Sequence, residues 1–236
     1  MYKEHPTFEP PENDDAKVWR YMDLTKFVWM LDKQCLYFCR ADVLKRQDPY
    51  EGSLLPSELL KSVPVPVAQN FTAGITSSGP PVTVNCWHLS DYESAAMWKL
   101  YAGENKGIAI QSTFGRMKRS FEGFADNVYI GEITYMDYRA QTYPGCGDKF
   151  KGFLTKRKSF EHEKELRVLI WETSKLTKRT DDGSVLANVN LKELIENIYI
   201  SPFSPVWNRD TVQAIVKKFG LGIQVQQSEL DREPLY

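Results

Sequence analysis

Residues 156–171, KRKSFEHEKELRVLIW, set a charged, helix-compatible run directly against a β-strand. Leu166, Val168 and Ile170 alternate with Arg167, Leu169 and Trp171, the period of two that a strand with two distinct faces produces. Carried backwards, that period puts Glu163, Glu165 and Arg167 on one face and the apolar side chains on the other. Two carboxylates and a guanidinium at a strand entrance are costly unless something binds them. Two arrangements meet that cost: a solvated helix end with surface ion pairs, or a carboxylate pair aimed into a cleft. Spacing alone leaves both open.

The remaining chain bounds the choice. With 236 residues, 42% of them hydrophobic, there is ample material for a large core. The net charge of −1 supplies no global basic field for nucleic acid, although a local groove stays compatible with it. No apolar run reaches the length of a membrane span, and the opening MYKEHPTFEPPENDD is too polar, acidic and Pro-rich for a signal or transit peptide. Cys35, Cys39, Cys86 and Cys146 follow neither a disulfide nor a zinc spacing, so they read as reduced thiols of a cytoplasmic protein. Six tryptophans suit either a large core or an aromatic-walled pocket.

Read in order, the chain predicts an extended, loosely held N-terminal arm over 1–15 and one α+β domain over 16–236. Asp23 is a plausible N-cap for a helix over LTKFVWMLDKQ, and CLYFCRADVL follows as a buried strand. Asp48–Gly52, DPYEG, reads as a turn with solvated acids. The Pro-, Gly-, Ser- and Thr-rich stretch at 63–82 is the expected loop. VTVNCWHLS, KGIAIQST and the long alternating DNVYIGEITYMDY predict strands, and DYESAAMWKLYAG predicts a helix capped by Asp91 or Ser90 and closed by Gly103. A short helix and strand over LKELIENIYISP, an amphipathic helix from Pro205 to Phe219 and a last strand at GIQVQQS complete the pattern.

Three groups of residues carry candidate chemistry. His88 and Ser90 share a face of one strand with Cys86, serving either a site or merely a hydrogen-bonded strand end. Tyr37, Cys39 and Arg40 lie on another strand, where an arginine after an apolar run needs a partner such as Glu163 or Glu165, or an anionic ligand. The third group is Glu163 with Glu165. Joined by Asp48 or Glu51, these carboxylates could hold magnesium for phosphodiester hydrolysis, with Lys156, Arg157 and Lys164 nearby. There is no GxGxxG, P-loop or GxSxG.

DPYEG, NCWHLSDYESAAMWKLY, GIAIQST and FEHEKELR, in that order, resemble the pattern of a widespread bacterial family built on a domain of unknown function. The likeness covers nearly the whole chain past residue 20. More distantly, an early-strand arginine, a serine ending a middle strand and a late Glu-x-Glu strand are similar to the ADP-ribosyltransferase pattern. The middle motif departs from that pattern, being HLS rather than Ser-Thr-Ser. That second resemblance implies a mixed, largely antiparallel sheet flanked by helices, with NAD as the substrate. It implies Glu165 as the catalytic acid preceded by Glu163, and Arg40, His88, Ser90 and Tyr37 as NAD-holding residues. Loss of nicotinamide would build oxocarbenium character that a sheltered carboxylate stabilises. The acceptor implied is protein, nucleic acid or water, in a toxin or phage-defence effector with an antitoxin or partner protein. A non-enzymatic interaction module of a defence system, with Glu163, Glu165 and Arg167 as a buried structural network, is the third expectation.

Overall fold

Strand β1 (Lys17–Asp23) ends at Asp23, whose carboxylate accepts the Lys26 N–H at 2.8 Å and so opens helix Leu24–Lys33. The helix buries Phe27, Met30 and Leu31 and stops at Gln34, which takes a left-handed conformation with φ 51°. The computed structural model describes residues 1–46, 48–52, 82–103, 106–137, 148, 150–171 and 177–232. The loop expected at 63–82 lies outside them except for Val82, as does Cys146. Helices and mostly antiparallel strand pairs make the fold class α+β.

The chain divides into two compact units, each drawn from three separate segments. One comprises residues 11–36, 86–124 and 187–236, and the other residues 1–10, 37–85 and 125–186. The sequence reads as one domain because no linker marks this division. The crossings at 36/37, 85/86 and 186/187 fall inside strands β2 (Cys35–Arg40), β3 (Val82–Leu89) and β9 (Val185–Asn188), where composition does not change.

In the unit that contains β1, that strand pairs along its whole length with β4 (Gly107–Thr113), antiparallel, from Lys17↔Thr113 to Asp23↔Gly107. Its other edge meets the end of β3 through Val18↔Leu89 and Trp19↔His88. Strand β10 (Asn197–Ile200) pairs with β4, and β11 (Val225–Gln227) adds in parallel to β10. A parallel neighbour needs a crossover, which helix Val206–Lys218 supplies. The helix expected from Asp91 begins later. Ser94 Oγ accepts the Met97 N–H at 3.3 Å, the α-helical turn is only Ala95–Met97, and a π-helical turn, Trp98–Ala102, follows. The Tyr21 hydroxyl accepts the Ser94 N–H at 2.9 Å, which fixes the start. Trp98 is thereby seated edge-on against Tyr21 in a core with Trp19, Met97 and Ala109.

In the other unit, β5 (Val128–Glu132) pairs antiparallel with β8 (Glu165–Trp171), from Val128↔Ile170 to Glu132↔Leu166. The first ten residues of the N-terminal arm are not loosely held. Lys3 N–H donates to Val128 O at 2.9 Å and Glu132 N–H to Glu9 O at 2.8 Å, so the arm satisfies the open edge of β5. Phe8 packs so closely on that edge that a Cβ at Gly131 would lie 2.9 Å from Phe8 Cα. The long strand expected over 126–138 breaks at Ile133, whose N–H donates to Glu165 O at 2.9 Å. Beyond the break, β6 (Thr134–Met136) pairs in parallel with β7 (Thr155–Arg157), setting Tyr135 opposite Lys156. A 3₁₀ helix, Lys158–Glu163, replaces the expected helix and ends at Lys164, left-handed with φ 39°. This short path returns the chain from β7 to the mouth of β8.

Candidate functional site

The carboxylates at the mouth of β8 are buried, not solvated. Glu163 is 6% exposed, Glu165 5%, Arg167 1% and Lys156 8%. Lys156 Nζ donates to Glu163 Oε2 and lies 3.4 Å from Glu165 Oε2. Arg167 grips Glu165 with both edges of its fork, Nε to Oε1 at 2.7 Å and Nη2 to Oε2 at 3.0 Å. Its Nη1 donates to Glu51 Oε1 and, at 2.6 Å, to Phe153 O. Among the described residues, three carboxylates thus share two cations.

Charge and burial shape what these groups can do. Burial by itself would lower the Lys156 pKa. Glu165 and Glu163 outweigh it and hold the ammonium above its ordinary value. Such a lysine stays charged and is unsuited to act as a nucleophile or general base. The Tyr135 hydroxyl accepts the Glu165 N–H at 2.8 Å. Burial, with the Glu165 charge, raises the phenol well above its ordinary value, so it too keeps its proton. Sequence reasoning saw Lys156 only as a cation near the acids and missed Tyr135. The register Tyr135↔Lys156, invisible before β6 and β7 pair, brings both to Glu165.

The DPYEG turn departs most from expectation. Asp48 is 1% exposed and Glu51 3%, so neither acid is solvated. Asp48 Oδ1 accepts the Tyr50 N–H at 3.1 Å, an Asx turn that Gly52 closes with φ 67°. Glu51 then points at Arg167, 116 residues away in the chain. Asp48 faces Arg157, with Nε 2.9 Å from Oδ1.

Arg40 does not meet Glu163 or Glu165. β2 ends at Arg40 and the chain turns at once into helix Ala41–Leu44, which brings Asp42 back onto the guanidinium. Nε and Nη2 bind its two oxygens at 3.0 and 2.6 Å, and Nη1 reaches Asp182 O at 3.2 Å. Tyr37 reaches the same segment, its hydroxyl 2.8 Å from Ser184 Oγ and 3.1 Å from Asp182 Oδ2. The Thr180 hydroxyl first, then the Ser184 N–H, push the Asp182 carboxyl down to about 2. A depressed folded pKa contributes stability above the ordinary carboxylate range and loses it as pH falls towards about 2. An NMR titration is expected to find Asp182 near that value, and to find it moved back towards the ordinary range in Thr180→Val. An unchanged Asp182 in the variant would contradict the assigned cause.

His88 and Ser90 belong to the unit containing β1. His88 is 3% exposed, with its ring edge-on to Tyr21 at 6.2 Å. Ser90 N–H donates to Lys17 O at 3.1 Å, its carbonyl accepts Trp19 Nε1–H at 2.8 Å, and its Oγ accepts the Tyr92 N–H at 3.2 Å. Those bonds describe a strand end and a turn. Among the described residues, no group of three or more His, Cys, Asp or Glu side chains could hold a metal ion, so the magnesium set of Glu163, Glu165 and Asp48 or Glu51 does not assemble there. No helix among the described residues is long and apolar enough to cross a membrane. No family model, curated protein or solved structure matches the chain.

Proposed function

We propose that this chain is a non-enzymatic interaction module, in which the network at the mouth of β8 fastens the DPYEG turn to the sheet. One observation carries this reading. Both oxygens of Glu165 face cations of the protein itself, inside a residue that is 5% exposed. A carboxylate so engaged has little capacity left to stabilise positive charge on a substrate's ribose. Incubating the protein with NAD and following nicotinamide release tests it. The expected result is background turnover by wild type, together with lowered melting temperatures for Glu165→Ala and Arg167→Ala. Nicotinamide release by wild type above background would overturn it.

A second reading, an NAD-consuming ADP-ribosyltransferase-like enzyme with that family's fold, is favoured by one feature. Glu163 and Glu165 flank a single left-handed residue at a strand entrance and converge on the same ammonium. That matches the acidic pair which the resemblance implies. Turnover by wild type, abolished in Glu165→Gln with an unchanged melting temperature, would establish it. The toxin or defence role, the acceptor and an antitoxin partner belong to this second reading.

A further inference from the structure

Beside the buried network, one guanidinium is held but not used up. Arg157 has a side chain 38% exposed, and its Nε lies 2.9 Å from Oδ1 of the buried Asp48. The contact is an ion pair without hydrogen-bond alignment, since Nε and Asp48 Oδ2 are both buried with no hydrogen-bond partner. The two terminal nitrogens of Arg157 have no hydrogen-bond partner among the described residues. Two rings frame the group, with Cζ 5.1 Å from the centroid of Tyr50 and 5.6 Å from that of Phe160. A buried carboxylate and two aromatic rings fix the aim of a cation whose outer edge is left open.

Exposed cations next to the site in the chain favour an anion as its ligand. Lys45 and Arg46 precede the DPYEG turn, Lys158 follows Arg157, and all three are exposed. The ring of Phe160 also lies 4.8 Å from Lys156 Nζ, so the two cations stand over one ring. The planar fork of an arginine matches two oxygens of a phosphate, and the aromatic rings beside it, of which Tyr50 is exposed, suit a base or sugar. We propose that Arg157, aimed by Asp48 and framed by Tyr50 and Phe160, anchors a binding site for the phosphate group of a nucleotide. The site is independent of both readings above, because it uses neither Glu163 nor Glu165.

Titration calorimetry on the full chain with ADP, inorganic phosphate and adenosine tests the proposal. ADP is expected to bind more tightly than inorganic phosphate, and adenosine not at all. Arg157→Gln should weaken ADP binding by about tenfold or more without moving the melting temperature. Arg157→Lys, which keeps the charge but loses the fork, should fall between them, and it decides the matter if Arg157→Gln unfolds. Three results would each overturn the proposal: no binding of ADP by wild type, adenosine binding as well as ADP, or variants that bind like wild type. Equal affinity for phosphate and ADP would reject the nucleotide as the source.

Discussion

Arg167→Ala is expected to destabilise the protein by about 3–5 kcal/mol, because it removes one side of a buried charge network. The guanidinium holds Glu165 by two bonds, Glu51 by one and the Phe153 carbonyl by another. Without it, the buried Glu165 and Glu51 would lose the cation that pairs with them, and burial makes uncompensated charge far more costly than a surface pair. Urea denaturation at neutral pH measures the effect, and Glu51→Gln provides the second corner of a double-mutant cycle. A coupling between positions 51 and 167 of about 0.5–3 kcal/mol is the signature of a direct contact. A loss below about 1 kcal/mol for Arg167→Ala would mean the network contributes no more than an exposed pair.

Trp98→Ala carries the second large effect, in the unit containing β1, at about 3–5 kcal/mol. The indole is 2% exposed, lies 5.1 Å from the Tyr21 ring centroid, and donates Nε1–H to Glu93 Oε2 at 2.9 Å. Truncation leaves a void beside Trp19 and Tyr21 that rigid neighbouring rings cannot collapse to fill. Trp98→Phe retains most of the apolar volume. Glu93 would still accept from Ser228 Oγ at 2.6 Å and from the Glu229 N–H at 2.8 Å, so this variant should lose less than half as much. Chemical denaturation of both variants checks the order. Equal losses would show that the hydrogen bond, rather than the volume, dominates.

Local chemistry was legible in the chain, whereas distant partnership was not. Asp23 reads as a cap and acts as one, since a cap involves residues three positions apart. Gly220, with φ 72°, closes the last long helix as its position past Phe219 implies. Alternation located β8 and set Glu165 and Arg167 two residues apart along it, whereas Glu163 lies before the strand, in the 3₁₀ helix that ends at left-handed Lys164. What met those residues did not follow. Asp48 and Glu51 look like solvated turn acids because nothing near them in the sequence identifies Arg157 or Arg167 as partners. Arg40 was matched to remote glutamates when the end of its strand returned a much nearer acid, Asp42. Lys156 sits in GFLTKR, and a lysine following so many apolar residues was the available sign that it would be buried.

The interleaving of segments also governs how the protein can be made on a ribosome. Residues 1–10 leave first, yet their ladder partners on β5 arrive roughly 125 residues later and depend in turn on β8. Neither unit has its full set of segments until residue 186 or beyond has been synthesised. At translation rates of about 5–20 residues per second, the nascent chain spends many seconds with strand edges unpaired. Such a chain gains little from vectorial folding, since its stabilising contacts are long-range and close together only at the end. Protection of the emerging edges by a holdase is therefore worth more to this topology than to one whose domains follow one another in sequence.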